Sequence, residues 1–257
     1  MKTFFQNWAV SFSMYSKIPM PHFEWNNDNM KYSMCFFPLV GVVIGFVQMW
    51  ARYFCVHFHM SQAFTGVILT LIPVVISGGI HLDGLLDTAD ALSSNQPKER
   101  KLEILKDSHA GAFAIITGVC YFLLDFAFMS EVSWLTVYII AVGYMVSRGL
   151  SGFAVVTFKC AKNSGLVATF SDMSQRMVVR VVSLIYVIIG YGLMIFISPL
   201  IGGIAILASL LVFLYYRVMS YRQFGGINGD LAGFFLQICE LAIVMAAVVG
   251  EKICYLS

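Results

Sequence analysis

The stretch MVVRVVSLIYVIIGYGLMIFISPLIGGIAILASLLVFLYY, residues 177–216, contains one basic residue, Arg180, and no acidic one. A hydrocarbon core takes about 20 apolar residues per helix. The stretch divides at Ser198-Pro199 into two such runs, Met177–Ile197 and Leu200–Tyr216. Proline suits the first turn of a helix, where its missing N–H would have no partner anyway. The segment therefore reads as a tight helical hairpin crossing a bilayer twice. Outward from it, five more runs qualify: 34–56, 63–80, 110–129, 133–158 and 231–249. The expected fold is all-α, a polytopic integral membrane bundle of about seven transmembrane helices forming a single membrane domain over residues 1–257.

Composition agrees. Hydrophobic residues make up 59% of the chain and charged residues 12%, with a mean hydropathy of +0.81. A soluble domain carries about 25% charge, so most of this surface has to face lipid. The net charge of +2 and the lack of a Lys/Arg run give no footing for a nucleic-acid partner. The six cysteines show no CxxC spacing and fall mostly in apolar runs, as small buried hydrophobes do. Residues 1–32 lack the pattern of a cleavable signal peptide. They mix Phe4, Phe5, Trp8 and Phe12 with Lys2, Gln6 and Asn7, which suits an interfacial amphipathic segment. Lys17-Ile18-Pro19-Met20-Pro21 then interrupts it.

Basic residues orient the bundle. With the N-terminus cytoplasmic, thirteen Lys and Arg fall on the inside, Arg52 and Lys252 fall outside, and Arg148 lies within the fourth span. Both long polar loops, 81–109 and 217–230, are then cytoplasmic. The expected location is the cell (inner) membrane.

The first of these loops opens with Gly78-Gly79-Ile80-His81-Leu82-Asp83-Gly84-Leu85-Leu86-Asp87-Thr88-Ala89-Asp90. Steps of four and three residues put Asp83, Asp87 and Asp90 on one helix face. Three adjacent carboxylates need protons or cations to neutralise them, and no basic residue occurs between Gly78 and Pro97. Grouped hard oxygen ligands suit Mg²⁺, or Mn²⁺, shared with substrate phosphates. Further on, Lys106-Asp107-Ser108-His109 precedes the third span. Asp107 or Ser108 could cap that helix, or the segment, with its free N–H groups, could hold a phosphate. The second loop ends in Gly225-Gly226-Ile227-Asn228-Gly229-Asp230, repeating the Gly-Gly-Ile-x-x-Asp order of residues 78–83. These paired segments read as two walls of one site, although Asp230 could also be a plain N-cap. Of the ionisable residues inside spans, Asp125 is expected near the outer surface. Arg148 either pairs with Glu240 or contacts substrate. Glu240 lies about 15 Å along the helix from Asp230, too far to share its metal.

An acidic cluster and glycine-rich turns at one membrane face point to diphosphate chemistry, in a membrane phosphotransferase or prenyltransferase. Residues 78–91 resemble the signature of the cobalamin synthase family, the adenosylcobinamide-GDP ribazoletransferases. The likeness runs in order through 18–21, 37–45, 102–111 and 225–230 with Glu240. The chain departs from the family pattern at His109, Ala114, Asn228 and 162–164, positions that bear on substrate contacts and leave the carboxylates in place. The resemblance implies the last stage of cobalamin assembly. There α-ribazole, or its 5′-phosphate, joins adenosylcobinamide-GDP and GMP is released, with Mg²⁺ required. It implies Asp83, Asp87, Asp90 and Asp230 as metal ligands, and Asp107 or His81 as the acceptor of the hydroxyl proton. Lys106, Ser108, His109, Arg148 and Asn228 would contact substrate. The lipid bilayer is a partner, and a homo-oligomer or a complex with other cobalamin-assembly enzymes is compatible with it. Two readings compete. A CDP-alcohol phosphotransferase lacks support because Ile80 stands where that signature has Asp. A cation or solute transporter draws on Arg148 and Glu240, but the acidic residues pool at one surface rather than at the midplane.

Overall fold

The computed structural model describes residues 2–21, 23, 30–107, 109–161 and 175–256. Among them are ten α-helices and no strand, apart from an isolated parallel bridge between Cys160 and Ile227. The helices are α1 (Lys2–Tyr15), α2 (Phe37–His57), α3 (Gln62–Ser77), α4 (Ile80–Ser93) and α5 (Lys98–Ile104). After them come α6 (Ala112–Ser130), α7 (Trp134–Thr157), α8 (Arg176–Ile197), α9 (Pro199–Phe224) and α10 (Gly229–Leu256). Each of the seven apolar runs has become a helix. Six of these (α2, with the 3₁₀ turn before it, and α6 to α10) are long and apolar enough to cross a membrane; α3 reaches that standard only together with α4. Helices are the expected solution, because a hydrocarbon layer offers backbone groups no other hydrogen-bond partners.

The most apolar window of α7 is 89% buried, whereas those of α8 and α9 are 28% buried, so α7 is the central post and the hairpin α8–α9 is lipid-facing. Exposed Ile115, Ile116, Val119 and Leu123 on α6 and Ile185, Ile188 and Phe196 on α8 face the same apolar surroundings. Small residues set the closest crossing: a Cβ on Gly45 of α2 would lie 2.6 Å from the Ala141 carbonyl of α7, and one on Gly41 would collide with that of Tyr144. This is the small-xxx-small spacing that lets membrane helices touch backbone to backbone. α1 packs on the 3₁₀ turn (Ser33–Phe36) and on α2, burying Ala9, Val10, Ser11 and Phe12. Its Asn7 side chain accepts from the Tyr32 N–H at 2.8 Å. The amphipathic pattern of the N-terminus therefore serves packing at the end of the bundle.

Two features place the acidic segment. Gly78 and Gly79 both have positive φ, +67° and +79°, a conformation that costs other residues free energy. They end α3, and the chain turns 94° into α4, so α4 leaves the direction of the span. It then packs on α6 and α10. α10 is held to α7 at two heights. Within the bundle Arg148 Nη1 donates to Glu240 Oε1 at 2.6 Å and to the Tyr144 carbonyl at 3.0 Å, and Ser147 Oγ donates to the same Glu240 oxygen at 2.8 Å. Near the other end Ser133 Oγ donates to Glu251 Oε1 at 2.7 Å. Glu240 and Glu251 are eleven residues apart, three helical turns, and so share the face of α10 turned to α7.

The Arg148–Glu240 pair is 1% and 5% exposed. Removing one partner of such a pair strands a buried charge, whereas replacing both with apolar groups often costs little. Arg148→Met should lower stability by about 3–5 kcal/mol, and the double variant Arg148→Met, Glu240→Leu should recover most of that loss. Thermal unfolding in detergent is the measurement. Equal destabilisation by the single and double variants would contradict the structural role of the pair.

Candidate active site at one end of the bundle

The 94° turn puts Asp83, Asp87 and Asp90 along one side of α4 and sets α4 against the start of α10. The contact is glycine to glycine. A Cβ on Gly84 would be 2.6 Å from the Asp230 carbonyl, and one on Gly233 would be 2.9 Å from the His81 carbonyl. Only residues without a Cβ permit this approach, and it draws Asp230 to Asp83. Both line one cavity of about 130 Å³ together with Tyr15, Phe37, His81, Ser151, Val155 and Leu236. The two Gly-Gly-Ile-x-x-Asp segments are thus two walls of one site. Gly225 repeats the positive φ of Gly78 at the end of its helix, at +80°. Asp230 is not a plain N-cap: Asn228 Oδ1 accepts from the Leu231 N–H at 2.9 Å, and Asn228 Nδ2 donates to Asp230 Oδ2 at 2.9 Å. Asn228, expected to contact substrate, positions a carboxylate.

Charge is poorly balanced here. Among the described residues no ion pair reaches Asp83, Asp87, Asp90 or Asp230. Burial, followed by the charges of Asp83, Asp230 and Asp90, pushes Asp87 up from 3.8 to about 7. Asp90 has a different occupation from its neighbours. It accepts from the Gly111 N–H at 2.5 Å and the Ala114 N–H at 2.9 Å, capping α6 from 21 residues upstream. The sequence offered Asp107 or Ser108 for that cap, as an alternative to phosphate binding by the same segment. Asp107 instead accepts from the His109 backbone at 3.0 Å and meets its ring Nδ1 at 2.8 Å. Those contacts hold its carboxyl below the usual range. Asp107, Lys106 and His109 stand exposed on the loop that the Asp90 cap fastens beside α4, and Ser108 lies outside the described residues.

Arg148 is committed to Glu240 and does not line the cavity. His81 does line it, 5% exposed, with Nε2 lacking any hydrogen-bond partner. Burial first, and then the charge of Arg148, hold its pKa down at about 3, so the ring is neutral. Three contributions lay beyond sequence reasoning. Tyr15 and Phe37 wall the cavity from α1 and α2. Lys101 is buried and donates to Gln223 Oε1 at 2.6 Å, tying α5 to α9. Asp125, expected near the outer membrane surface, is buried against neighbouring helices. The first two depend on contacts between distant segments, for which spacing along the chain gives no signal.

A larger groove of about 580 Å³ lies between Trp50, Tyr53, Trp134 and Tyr138, at the ends of α2 and α7 away from the carboxylates. Its aromatic lining is that of a membrane–water interface, and no acidic group joins it. The carboxylates of Asp83 and Asp230 line the smaller cavity. Among the described residues no three His, Cys, Asp or Glu side chains gather closely enough to hold an ion unaided. Mg²⁺, however, commonly takes only one or two protein carboxylates and completes its shell with water and substrate phosphates. Asp83 and Asp230, lining one cavity with no ion-pair partner among the described residues, fit that requirement.

A sequence model of the family described as cobalamin-5-phosphate synthase (CobS) matches residues 7–248. An adenosylcobinamide-GDP ribazoletransferase of Lachnoclostridium phytofermentans is 47% identical over 95% of this chain and 94% of its own length. Proteins of the same name from Clostridium botulinum (strain Alaska E43) and Desulfitobacterium hafniense are 32% and 31% identical, over 96% and 93% of this chain and 98% and 94% of their own lengths. No solved structure matches the chain. The chain belongs to the cobalamin-5-phosphate synthase family.

The carboxylates are separable by stability in metal-free protein. A carboxyl whose pKa is raised on folding binds its proton more tightly in the folded state, so stability falls as pH climbs from about 3.8 to about 7. Asp87→Asn should remove that decline and raise the melting temperature at pH 8. Asp90→Ala should instead cost about 1 kcal/mol as the α6 cap is lost. Melting curves at several pH values check both; a stabilising Asp90→Ala or a destabilising Asp87→Asn would reverse the assignment.

Proposed function

We propose that this family member is a membrane-bound adenosylcobinamide-GDP ribazoletransferase that works with Mg²⁺, its active face cytoplasmic. The observation that carries the reading is the cavity walled by Asp83 of α4 and Asp230 of α10, two carboxylates with no ion-pair partner among the described residues, in a chain 47% identical to a protein named for that activity. The reaction exchanges the phosphoanhydride bond of a diphosphate for a phosphate ester. A hydroxyl of α-ribazole, or of its 5′-phosphate, attacks the phosphorus nearer the corrinoid arm of adenosylcobinamide-GDP. A new P–O bond forms, the P–O bond to the bridging oxygen breaks, and GMP leaves with that oxygen.

Asp83 and Asp230 would hold Mg²⁺, which when bound supplies positive charge to the diphosphate and the departing GMP. The Gly84–Gly233 contact keeps the two carboxylates within reach of one another, and Asn228 fixes the orientation of Asp230. Asp87, surrounded by like charges, has the high proton affinity that a base at neutral pH needs and takes the hydroxyl proton. Asp107 is a poorer base because His109 already occupies its carboxylate. Lys106 stands with His109 on the loop fastened by Asp90, where its ammonium would meet phosphate and the His109 ring would offer a hydrogen bond. A transporter reading drew on Arg148 and Glu240, but these neutralise each other inside the bundle. The cytoplasmic placement rests on the bias of Lys and Arg toward the same end as the acidic loop.

Purified protein in nanodiscs, given adenosylcobinamide-GDP and α-ribazole, should release GMP only when a divalent cation is present. Asp87→Asn should cut the rate by about 10²–10⁴-fold, the usual worth of a general base. Asp83→Asn should raise the Mg²⁺ concentration needed for half-maximal rate. Folded wild-type protein that released no GMP with either form of ribazole would overturn the assignment.

A further inference from the structure

The cavity beside Asp83 and Asp230 has an inner end that the phosphate chemistry does not use. The whole cavity, at about 130 Å³, falls well below the roughly 300–1,000 Å³ of sites that enclose whole ligands, so it takes one part of a substrate. Its walls there are Met34, Phe37, Val155 and Leu236, each 4% exposed or less. Three rings cluster at this end. Tyr15 and Phe37 have centroids 4.3 Å apart, Tyr15 and His81 are stacked at 6.3 Å, and Phe37 and His81 are 5.9 Å apart. Polar groups are few. Tyr15 turns its hydroxyl to Met34 Sδ at 3.5 Å. Ser151 and His81 line the cavity, and His81 Nε2 is buried without a hydrogen-bond partner. A buried imidazole nitrogen left unsatisfied costs free energy, and a ligand atom can relieve it.

Resting on the ribazoletransferase reading, we propose that this inner end seats the base of the acceptor nucleoside. The occupant is a compact, apolar bicyclic ring with one unsubstituted nitrogen, held among Tyr15, Phe37 and His81 and bonded by His81 Nε2. The sugar then extends toward Asp83 and Asp230, where its hydroxyl meets the diphosphate. Guanine, the other base in the reaction, fits poorly. It offers several donors and acceptors along two edges, and walls of Met, Phe, Val and Leu would leave most of them unpaired. The dimethylbenzimidazole of ribazole offers two methyl groups and a single acceptor, which match the lining.

The test uses full-length protein in nanodiscs, with separate KM values for the two substrates. Val155→Phe fills the cavity, Val155→Leu fills it less, and His81→Phe keeps a ring but removes the nitrogen. Each should raise the KM for α-ribazole, by about 10-fold or more for Val155→Phe, and leave the KM for adenosylcobinamide-GDP within about two-fold. Val155→Phe should also come to prefer a riboside whose benzimidazole lacks the two methyl groups, a switch that mere misfolding cannot produce. If wild type turns over and the variants leave the acceptor KM unchanged, or raise the donor KM alone or in parallel, the cavity is not the base site. If wild type releases no GMP, the ribazoletransferase reading fails separately. Binding of α-ribazole, followed by its own fluorescence, then decides the cavity: binding to wild type that is lost in Val155→Phe supports it, and no binding overturns it.

Discussion

The site depends on the crossing of α4 and α10 at Gly84 and Gly233. Any Cβ at Gly84 would drive into the backbone of Asp230, and one at Gly233 into that of His81. With both absent, two helices distant in the sequence touch main chain to main chain, and their first turns bring Asp83, Asp230 and His81 to one cavity. In lipid, where apolar burial offers little drive for association, such close van der Waals contact is a main source of helix–helix affinity. The same glycines therefore provide adhesion and site geometry. α10 transmits the constraint further, because Glu240 and Glu251 fix its face against α7 while Asp230 stands at its start.

The carboxylates oppose this arrangement. Asp87 is partly buried among Asp83, Asp90 and Asp230, and its raised proton affinity measures how poorly the folded protein accommodates another negative charge there. A site optimised for stability would place a lysine nearby. Its lack among the ion pairs of the described residues leaves the negative potential available to whatever cation and phosphate the reaction brings. The cost is offset elsewhere, by the packing of α2 and α8 around α7 and by the Asp90 cap, which uses one member of the cluster to fasten the next helix.

Much of this is legible in the chain because it is local. Each span is a largely apolar run, and the steps from Asp83 to Asp87 to Asp90 fix one helix face without reference to anything else. The repeated Gly-Gly-Ile-x-x-Asp order pointed to two walls, since glycine pairs announce left-handed turns and the aspartates follow them. What stayed hidden depends on the third dimension. Nothing in the spacing of Asp90 distinguishes it from Asp87, yet one caps α6 and the other faces the cluster. Arg148 read equally well as a substrate contact or as a partner of Glu240 until the packing of α7 on α10 decided between them. Tyr15 looked like part of an amphipathic face, and only the docking of α1 onto α2 makes it a wall of the cavity.

These separate fates follow from one geometric fact, the 94° bend at Gly78-Gly79. Had α3 continued straight, its next four turns would have carried the three aspartates away from the end of the bundle and out of reach of Asp230. Turned aside, the same residues lie across the end of the bundle. Apolar Leu85 packs into the core, while Asp83 and Asp87 keep contact with water. The bend therefore lets one chain meet two solvents: α2 and α6 to α10 satisfy the lipid, and α4 gathers at its edge the charges that the lipid would exclude. An enzyme joining an amphiphilic donor to a small nucleoside needs such a boundary, and two consecutive glycines with positive φ are what create it here.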